Sequence, residues 1–149
     1  MKLEFTVYGK PATQGSKRAF IIPGKGAAKP RAILTEDNKR NKPWRQEVAA
    51  AALASYDGPL LVGPVRLTVR YCYPRPKSHY GTGRNAHSLK DSAPTHKTTI
   101  PDLSKLTRSI EDAMSGVIYN DDSQIVERHD SKHWGVRFET VITVEAIDE

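Results

Sequence analysis

Residues 101–126 read PDLSKLTRSIEDAMSGVIYNDDSQIV, and this stretch predicts a helix after which the chain turns back. Asp102 stands at the predicted helix start, Ser115-Gly116 is typical of a helix end, and the adjacent pair Asp121 and Asp122 follows. Apolar residues recur at helical spacing, which predicts one buried stripe on the helix. The members of that stripe are Leu103, Leu106, Ile110, Ala113 and Met114.

The segments on either side of this helix predict a small α+β domain. Alternation and turn residues predict strands, and an alanine-rich run after Pro43 predicts a second helix. The predicted strands cover residues 3–8, 19–22, 31–35, 65–73, 124–129 and 136–146, the second helix covers 43–56, and 73–99 and 130–135 are a long loop and a turn. We expect a single domain over residues 1–149, with a mixed or antiparallel sheet and both helices on one face.

The last predicted strand has a clear inward face. Its apolar face should consist of Val136, Phe138, Thr140, Ile142 and Val144. Elsewhere, no apolar run approaches the length of a membrane span, and the N-terminus lacks a signal-peptide core. The single Cys72 suits a reducing compartment. We therefore expect a cytoplasmic protein without a membrane partner.

Positive charge is concentrated in the first half of the chain. Residues 1–75 hold 14 Lys and Arg against 5 Asp and Glu, whereas residues 76–149 hold 9 against 12. Residues 10–45 contain ten basic residues, with Glu36 and Asp37 as their acids. This segment is interpreted either as a basic hairpin or as an arm that DNA orders. The first half should bind a polyanion, and the acidic segment 101–126 should carry the chemistry.

The acids of segment 101–126 admit two interpretations. Asp102 caps the helix or binds a metal, and Asp121 with Asp122 forms a turn or binds a metal. Asp112 lies ten residues after Asp102, about 15 Å along a straight helix, so these two acids cannot share an ion. Asp112 and Glu111 are therefore interpreted as solvated helix charges or as contacts near a subunit interface.

The pattern PDLSKLTRSIEDAM followed by VIYNDDSQIV resembles the signature of RusA-type Holliday-junction resolvases. GKPATQGSKR and YPRPKSHYGTGRN also resemble phage members of that family. The resemblance implies that Asp102 and Asp122 hold Mg²⁺, for which Mn²⁺ can substitute, with Asp121 as an auxiliary ligand or an electrostatic neighbour. The functional lysine of the family matches Arg108, and Lys105 is a second candidate to neutralise phosphate charge. One departure is Ser104, where the family has a second Asp.

The resemblance further implies a homodimer that cuts branched DNA in recombination and repair. The residues expected to contact backbone phosphates are Lys17, Arg18, Lys29, Arg31, Lys39, Arg40 and Arg45. Two other hypotheses remain open. One is a non-catalytic module that binds branched DNA, with a metal site impaired at Ser104. The other is a nuclease or binding protein of the same fold that acts on RNA.

Overall fold

The computed structural model describes residues 1–15, 17–26, 29–36 and 39–148, with the side chains of 17–22 and 31–36 outside the described part. The elements, in chain order, are β1 (Lys2–Tyr8), β2 (Lys17–Ile22), β3 (Arg31–Glu36), α1 (Asn41–Ser55), β4 (Val65–Pro74), α2 (Leu103–Met114), β5 (Ile125–Gly135) and β6 (Glu139–Ala146). Short 3₁₀ turns lie at Lys77–His79, Gly83–Asn85 and Asp122–Gln124. The α+β prediction is confirmed.

Four strands form the main sheet in the order β1-β6-β4-β5. β6 pairs antiparallel with both β1 and β4, whereas β4 pairs parallel with β5, so the sheet is mixed. A parallel pair needs a long crossover, and here the loop after β4 and helix α2 supply it. The crossover carries the chain from the carboxyl end of β4 back to the amino end of β5. The two ends of α2 therefore lie near opposite ends of the parallel strands β4 and β5.

The core lies between the two helices and one face of this sheet. Alternate residues of β4 point inward from Val65 to Tyr73, as the period of two predicts. They pack with α1, through Trp44 and Val48, and with the apolar stripe of α2. Within that stripe Leu106, Ile110, Ala113 and Met114 are buried and Leu103 is half-buried, which confirms the predicted helix face. Both helices cover the same face, because each packs against the other.

A polar bridge ties α2 to the sheet inside the core. Thr107 Oγ1 donates to Asp130 Oδ2 at 2.8 Å and lies 2.9 Å from the hydroxyl of buried Tyr71. Burial raises the pKa of Tyr71, so its hydroxyl stays protonated and can donate to Thr107. Since these three residues come from α2, β5 and β4, the bridge holds the helix in one register on the sheet.

The second sheet consists of β2 and β3. They pair antiparallel, from Lys17 opposite Glu36 to Ile22 opposite Arg31. Of the two interpretations of residues 10–45, the hairpin is thus the one observed. The long loop after β4 contains only two 3₁₀ turns and an isolated bridge between Tyr80 and Leu89. No helix among the described residues is long and apolar enough to cross a membrane.

The end of the chain differs from expectation in one place. Residues 130–135 do not form a turn, because β5 continues to Gly135 and pairs with β4 along its whole length. The ten-residue β4 leaves a row of backbone hydrogen-bonding groups that β5 satisfies, and this outweighs the polar local sequence. The turn falls at residues 136–138 instead. Val136 is consequently 88% exposed, and the inward face of β6 begins later, with Thr140, Ile142 and Val144.

Candidate active site

Asp102 begins α2 near the carboxyl end of β4. It is the N-cap residue, and its carbonyl accepts the first helical bond from the Leu106 amide at 3.1 Å. The carboxylate makes no capping hydrogen bond. It is 61% exposed and lies 3.8 Å from the ammonium group of Lys105. The capping interpretation of this side chain therefore fails, and the carboxylate faces solvent beside a cation.

Two lysines hold the segment that precedes Asp102. Lys132 Nζ on β5 donates to the carbonyls of Thr99 and Pro101, at 2.7 and 2.9 Å. Lys97 Nζ donates to Thr99 Oγ1 at 2.8 Å and to the Ile100 carbonyl at 3.0 Å. These bonds fix the start of α2 against the carboxyl ends of β4 and β5.

The chain returns near the amino end of β5, where Asp121 shapes the turn. Asp121 Oδ2 accepts from the Ser123 amide at 3.1 Å, and Gln124 completes a capping box. The same Gln124 donates to the carbonyls of Leu61 and Gly63, which fastens the turn to the approach of β4. Hydrogen bonds from the side chain and backbone of Ser123 lower the pKa of Asp121. Asp121 thus has the turn-forming role that the local sequence indicated.

Asp122 lies beside Asp112, not beside Asp102. The side chains of Asp122 and Asp112 are close enough to share a hydrogen bond. Burial raises the pKa of Asp122, and the nearby charges of Asp121 and Asp112 raise it further. The two carboxyl groups therefore form a like-charged pair at the C-terminal end of α2, over the buried Tyr119.

A hydrogen-bonded chain of side chains orients Asp112. Gln14 Nε2 donates to Asp112 Oδ2, and Gln14 Oε1 accepts from Arg45 at 3.3 Å and from Asn41 at 3.5 Å. Asn41 accepts in turn from the buried hydroxyl of Ser109. The backbone N–H of Gln14 also donates to the Lys105 carbonyl, at 3.0 Å. Residues of three segments, the N-terminal loop, α1 and α2, thus place one carboxylate.

The structure separates the predicted ligands into two groups. Asp102 and Asp112 lie ten residues apart on one helix, about 15 Å along its axis, as the spacing predicted. Asp122 stands with Asp112, and so it is far from Asp102 within one copy. Among the described residues, no group of three or more His, Cys, Asp or Glu side chains is placed to hold a metal ion. Asp102, Asp121 and Asp122 are therefore not assembled in one copy.

The other predicted residues of α2 occupy its outer face. Ser104, Lys105 and Arg108 are all exposed, and Arg108 lies one turn before Asp112 on the same face. Lys105 and Arg108 lie between Asp102 and Asp112 along the helix, where their positive charges could neutralise a phosphate. Glu111 is paired instead with Arg128, at 3.1 Å, which removes it from either acidic group.

The basic residues proposed for DNA are distributed over the hairpin and α1. Lys29, Lys39 and Arg40 are exposed, and Arg45 is half-buried through its bond to Gln14. The side chains of Lys17, Arg18 and Arg31 lie outside the described residues. Their backbone lies in the hairpin. The role of this set in DNA binding stays a prediction.

Sequence reasoning missed Asp112 and Gln14. The ten-residue spacing correctly predicted that Asp112 is too far from Asp102 to share an ion with it. The spacing does not show that the chain reverses at Ser115-Gly116 and returns beside the last turn of the helix, where Asp112 stands. Gln14 carries no local signal, because it reaches Asp112 across 98 positions of the sequence.

Comparisons with known proteins identify the family of this chain. The family model described as Endodeoxyribonuclease RusA matches residues 22–145, which include both helices, the main sheet except β1, and all the acids described above. The protein described as "Uncharacterized protein YqaN" of Bacillus subtilis (strain 168) is 31% identical over 132 residues, covering 89% of this chain and 87% of that protein. The chain therefore belongs to the RusA family of endodeoxyribonucleases.

Proposed function

We propose that this protein is a Mg²⁺-dependent endonuclease that cuts four-way DNA junctions in the cytoplasm as a homodimer, in recombination and repair. Family membership supports nuclease action on DNA. The observation that carries the metal dependence is the contact between Asp112 and Asp122. Two acids that crowd each other in this way are arranged for a cation rather than for each other.

The donor set fits a hard divalent ion. Its atoms are carboxylate oxygens, which Mg²⁺ and Mn²⁺ prefer. Burial raises the pKa of Asp122, and the charges of Asp121 and Asp112 raise it further; a bound dication would compensate that negative charge. Asp112 and Asp122 would hold the ion, with Asp121 as an electrostatic neighbour. When bound, Mg²⁺ polarises the scissile phosphate and lowers the pKa of a bound water.

The remaining residues act on the substrate. Lys105 and Arg108 would hold the phosphate between the two ends of α2. Arg108 grips it bidentately and remains protonated, so it stabilises charge and transfers no proton. Gln14 holds Asp112 in position. The basic hairpin and the start of α1 would bind the arms of the junction through their phosphates.

The separation of Asp102 from Asp122 makes the homodimer necessary to the proposal. One ion cannot contact both carboxylates within a single copy, since Asp102 is at the start of α2 and Asp122 stands beside Asp112 near its end. In the proposed dimer, Asp102 of one protomer joins the Asp112–Asp122 pair of its partner. Such an exchange gives two equivalent sites related by a two-fold axis, which matches the symmetry of a four-way junction.

The test is cleavage of a labelled four-way junction with Mg²⁺ and with EDTA. Asp122→Asn keeps the shape and removes the charge, so we expect cutting to fall by more than the roughly 10- to 100-fold that outer-shell changes cause. Junction binding in EDTA should not change. Asp148→Asn, at an exposed position near the C-terminus, is the matched control. Cutting by Asp122→Asn at the parent rate would refute the assignment.

One observation favours the non-catalytic alternative. Ser104 is exposed near Asp102, so this end of α2 offers one carboxylate where the family pattern has two. A protein that only binds junctions would show the same affinity with Mg²⁺ and with EDTA, and would not cut in either. An RNA-directed protein would bind a structured RNA of equal length more tightly than the junction in direct competition.

A further inference from the structure

A second cleft adjoins the site of Asp102 and is not used by the chemistry proposed above. It has a volume of about 470 Å³, within the range of small-ligand pockets. It lies at the carboxyl ends of β4 and β5. It shares Thr13, Ile100 and Pro101 with the smaller cleft that contains Asp102 and Lys105, so the two form one continuous surface.

The walls of this cleft are aromatic and its charges are all positive. Tyr73, Trp134 and Phe138 supply the rings, and Tyr73 and Phe138 meet edge to face with centroids 5.6 Å apart. The three cations are Lys10, Arg40 and Lys97. No Asp or Glu belongs to the described lining. An aromatic wall with cations and no acid selects a flat, anionic ligand.

Lys97 is the unusual member of the lining. It is only 8% exposed, and its ammonium lies 4.6 Å from the ring centroids of both Tyr73 and Trp134. It spends two of its three N–H donors on Thr99 and Ile100. A cation held this deeply in a lining without carboxylates is complementary to an anion or to a ligand carbonyl.

Two further polar atoms of the lining lack partners. Among the described residues, neither the Tyr73 hydroxyl nor Trp134 Nε1 has a hydrogen-bond partner, although both atoms are buried. Tyr73 is 6% exposed. Leaving such groups unpaired is costly, and Trp44 Nε1 and Thr140 Oγ1, outside the cleft, share this property. Because neither atom is accessible from the cleft, the cleft presents to a ligand the half-buried rings of Trp134 and Phe138 instead.

We propose that this cleft binds one nucleotide that has left the base stack at the branch point. Its base packs against the half-buried rings of Trp134 and Phe138, and its phosphate lies by Lys10 and Arg40, one nucleotide from the bond beside Asp102. The inference rests on the proposed nuclease function, and it assigns the residues that select where the junction is cut. Taking a base out of the stack costs least where that base is mismatched or already unpaired, so such a base beside the branch point would enter the cleft most readily.

The two tryptophans of the chain, Trp44 and Trp134, provide a direct test. Trp44→Phe leaves Trp134 as the reporter within the cleft, and Trp134→Phe leaves the buried Trp44 as the matched control. Tryptophan emission is titrated in EDTA with dCMP and dTMP, and separately with 2-deoxyribose 5-phosphate. We expect saturable quenching of Trp134 by the nucleotides, at least tenfold weaker binding of the sugar phosphate, and no saturable response from Trp44.

Quenching of both reporters alike, or equal binding of nucleotide and sugar phosphate, would overturn the proposal. In the Trp44→Phe background, Lys10→Met removes an exposed cation of the lining and should weaken nucleotide binding several-fold. Lys97→Met should weaken it roughly tenfold, as loss of a base-stacking contact would. Arg137→Met, which removes a cation that lies over Tyr8 outside the cleft, should change nothing.

The same titration separates this proposal from the nuclease proposal. Nucleotide binding without junction cutting in Mg²⁺ would support the cleft and refute the nuclease. Cutting without nucleotide binding would do the reverse. If Lys97→Met fails to fold by circular dichroism, the Lys10→Met result decides, because Lys10 is exposed and its replacement leaves the core packing unchanged.

Discussion

At the scale of single residues, the site depends on how carboxylates are held. Asp102 is exposed beside one lysine, whereas Asp112 is fixed by Gln14 and crowded by Asp122. An acid held by a side-chain donor keeps its direction when its charge is compensated, whereas an exposed acid moves freely. Gln14 is thus a positioning residue, since it acts through Asp112.

Removing Gln14 should weaken metal binding and leave DNA binding intact. We expect Gln14→Ala to raise the Mg²⁺ concentration for half-maximal cutting by roughly 10- to 100-fold, the effect typical of residues that orient a ligand. Cutting at saturating Mg²⁺ should recover much of the parent rate. Titration of Mg²⁺ against junction cleavage measures both, with the exposed Asn85→Ala as control. An unchanged Mg²⁺ requirement would contradict the positioning role.

Ser104 allows the opposite change, because an acid can be added. Ser104→Asp places a second carboxylate near Asp102, and we expect it to lower the Mg²⁺ concentration for half-maximal cutting. The comparison is Asp121→Asn, titrated in the same way, because Asp121 already serves the turn. A severe loss in Asp121→Asn with no gain in Ser104→Asp would show that Asp121 has taken over the missing ligand position.

At the scale of elements, α2 connects stability with function. Its inner stripe fills the core, and its outer face carries the candidate residues. The helix cannot shift along the sheet, because Thr107 is bonded to the side chains of Tyr71 and Asp130. The positions of both acidic ends therefore depend on the packing of this one helix.

Truncating the inner stripe should destabilise the fold by a predictable amount. Ile110 is fully buried, and we expect Ile110→Ala to lower the free energy of unfolding by about 2–5 kcal/mol, through lost burial and the cavity that remains. Leu53→Ala on α1 is the control, because Leu53 is 64% exposed and should cost about 0.5 kcal/mol or less. Urea unfolding measures both. Equal losses would mean that α2 does not pack as described.

At the scale of the whole molecule, charge is divided between two surfaces. The basic hairpin and the start of α1 carry positive charge, and the candidate acids stand at the two ends of α2. Phosphate contacts would give the protein its affinity for DNA, while the acids would repel DNA unless cations accompany them. Binding and cutting should therefore respond to different variants.

The basic surface predicts a steep salt dependence of junction binding. Each phosphate contact contributes about 0.9 to the slope of log affinity against log salt, so Ala at Lys17, Arg18, Lys39 and Arg40 together should flatten it by up to about 3.6. The control carries Lys2→Ala with Arg137→Ala, two basic residues outside segment 10–45. An unchanged slope in the fourfold variant would place the DNA surface elsewhere.

The exchanged site predicts recovery of activity when two inactive subunits are mixed. Asp102→Asn and Asp122→Asn should each be inactive as homodimers. In a mixed dimer with two different tags, one site receives both changes and the other receives neither, so one of the two sites should cut. If each site lay within one copy, both sites of the mixed dimer would be damaged and no activity would return. Failure to form mixed dimers at all would count against the homodimer.

Local pattern was enough for most of the fold. The helix periodicity of residues 103–114 and the alternation of 65–73 were read correctly, because each pattern reflects one buried face. The family signature also lies within a continuous stretch. The sequence does not predict the extension of β5 to Gly135. This segment contains His, Asp, Ser and Lys, and it is a strand because it pairs with β4 and not because of its own strand propensity.

The sequence by itself determined the α+β class, the acid-bearing helix and the distance between Asp102 and Asp112, all of which follow from periods of two and 3.6 residues. Only the tertiary structure decided which acid Asp122 meets. Because β4 and β5 are parallel, the chain returns along α2 to the end of the sheet where both strands begin, and Gln124 fastens the turn there. Contacts between distant segments, such as Gln14 with Asp112, depend on this topology, and no local pattern records them.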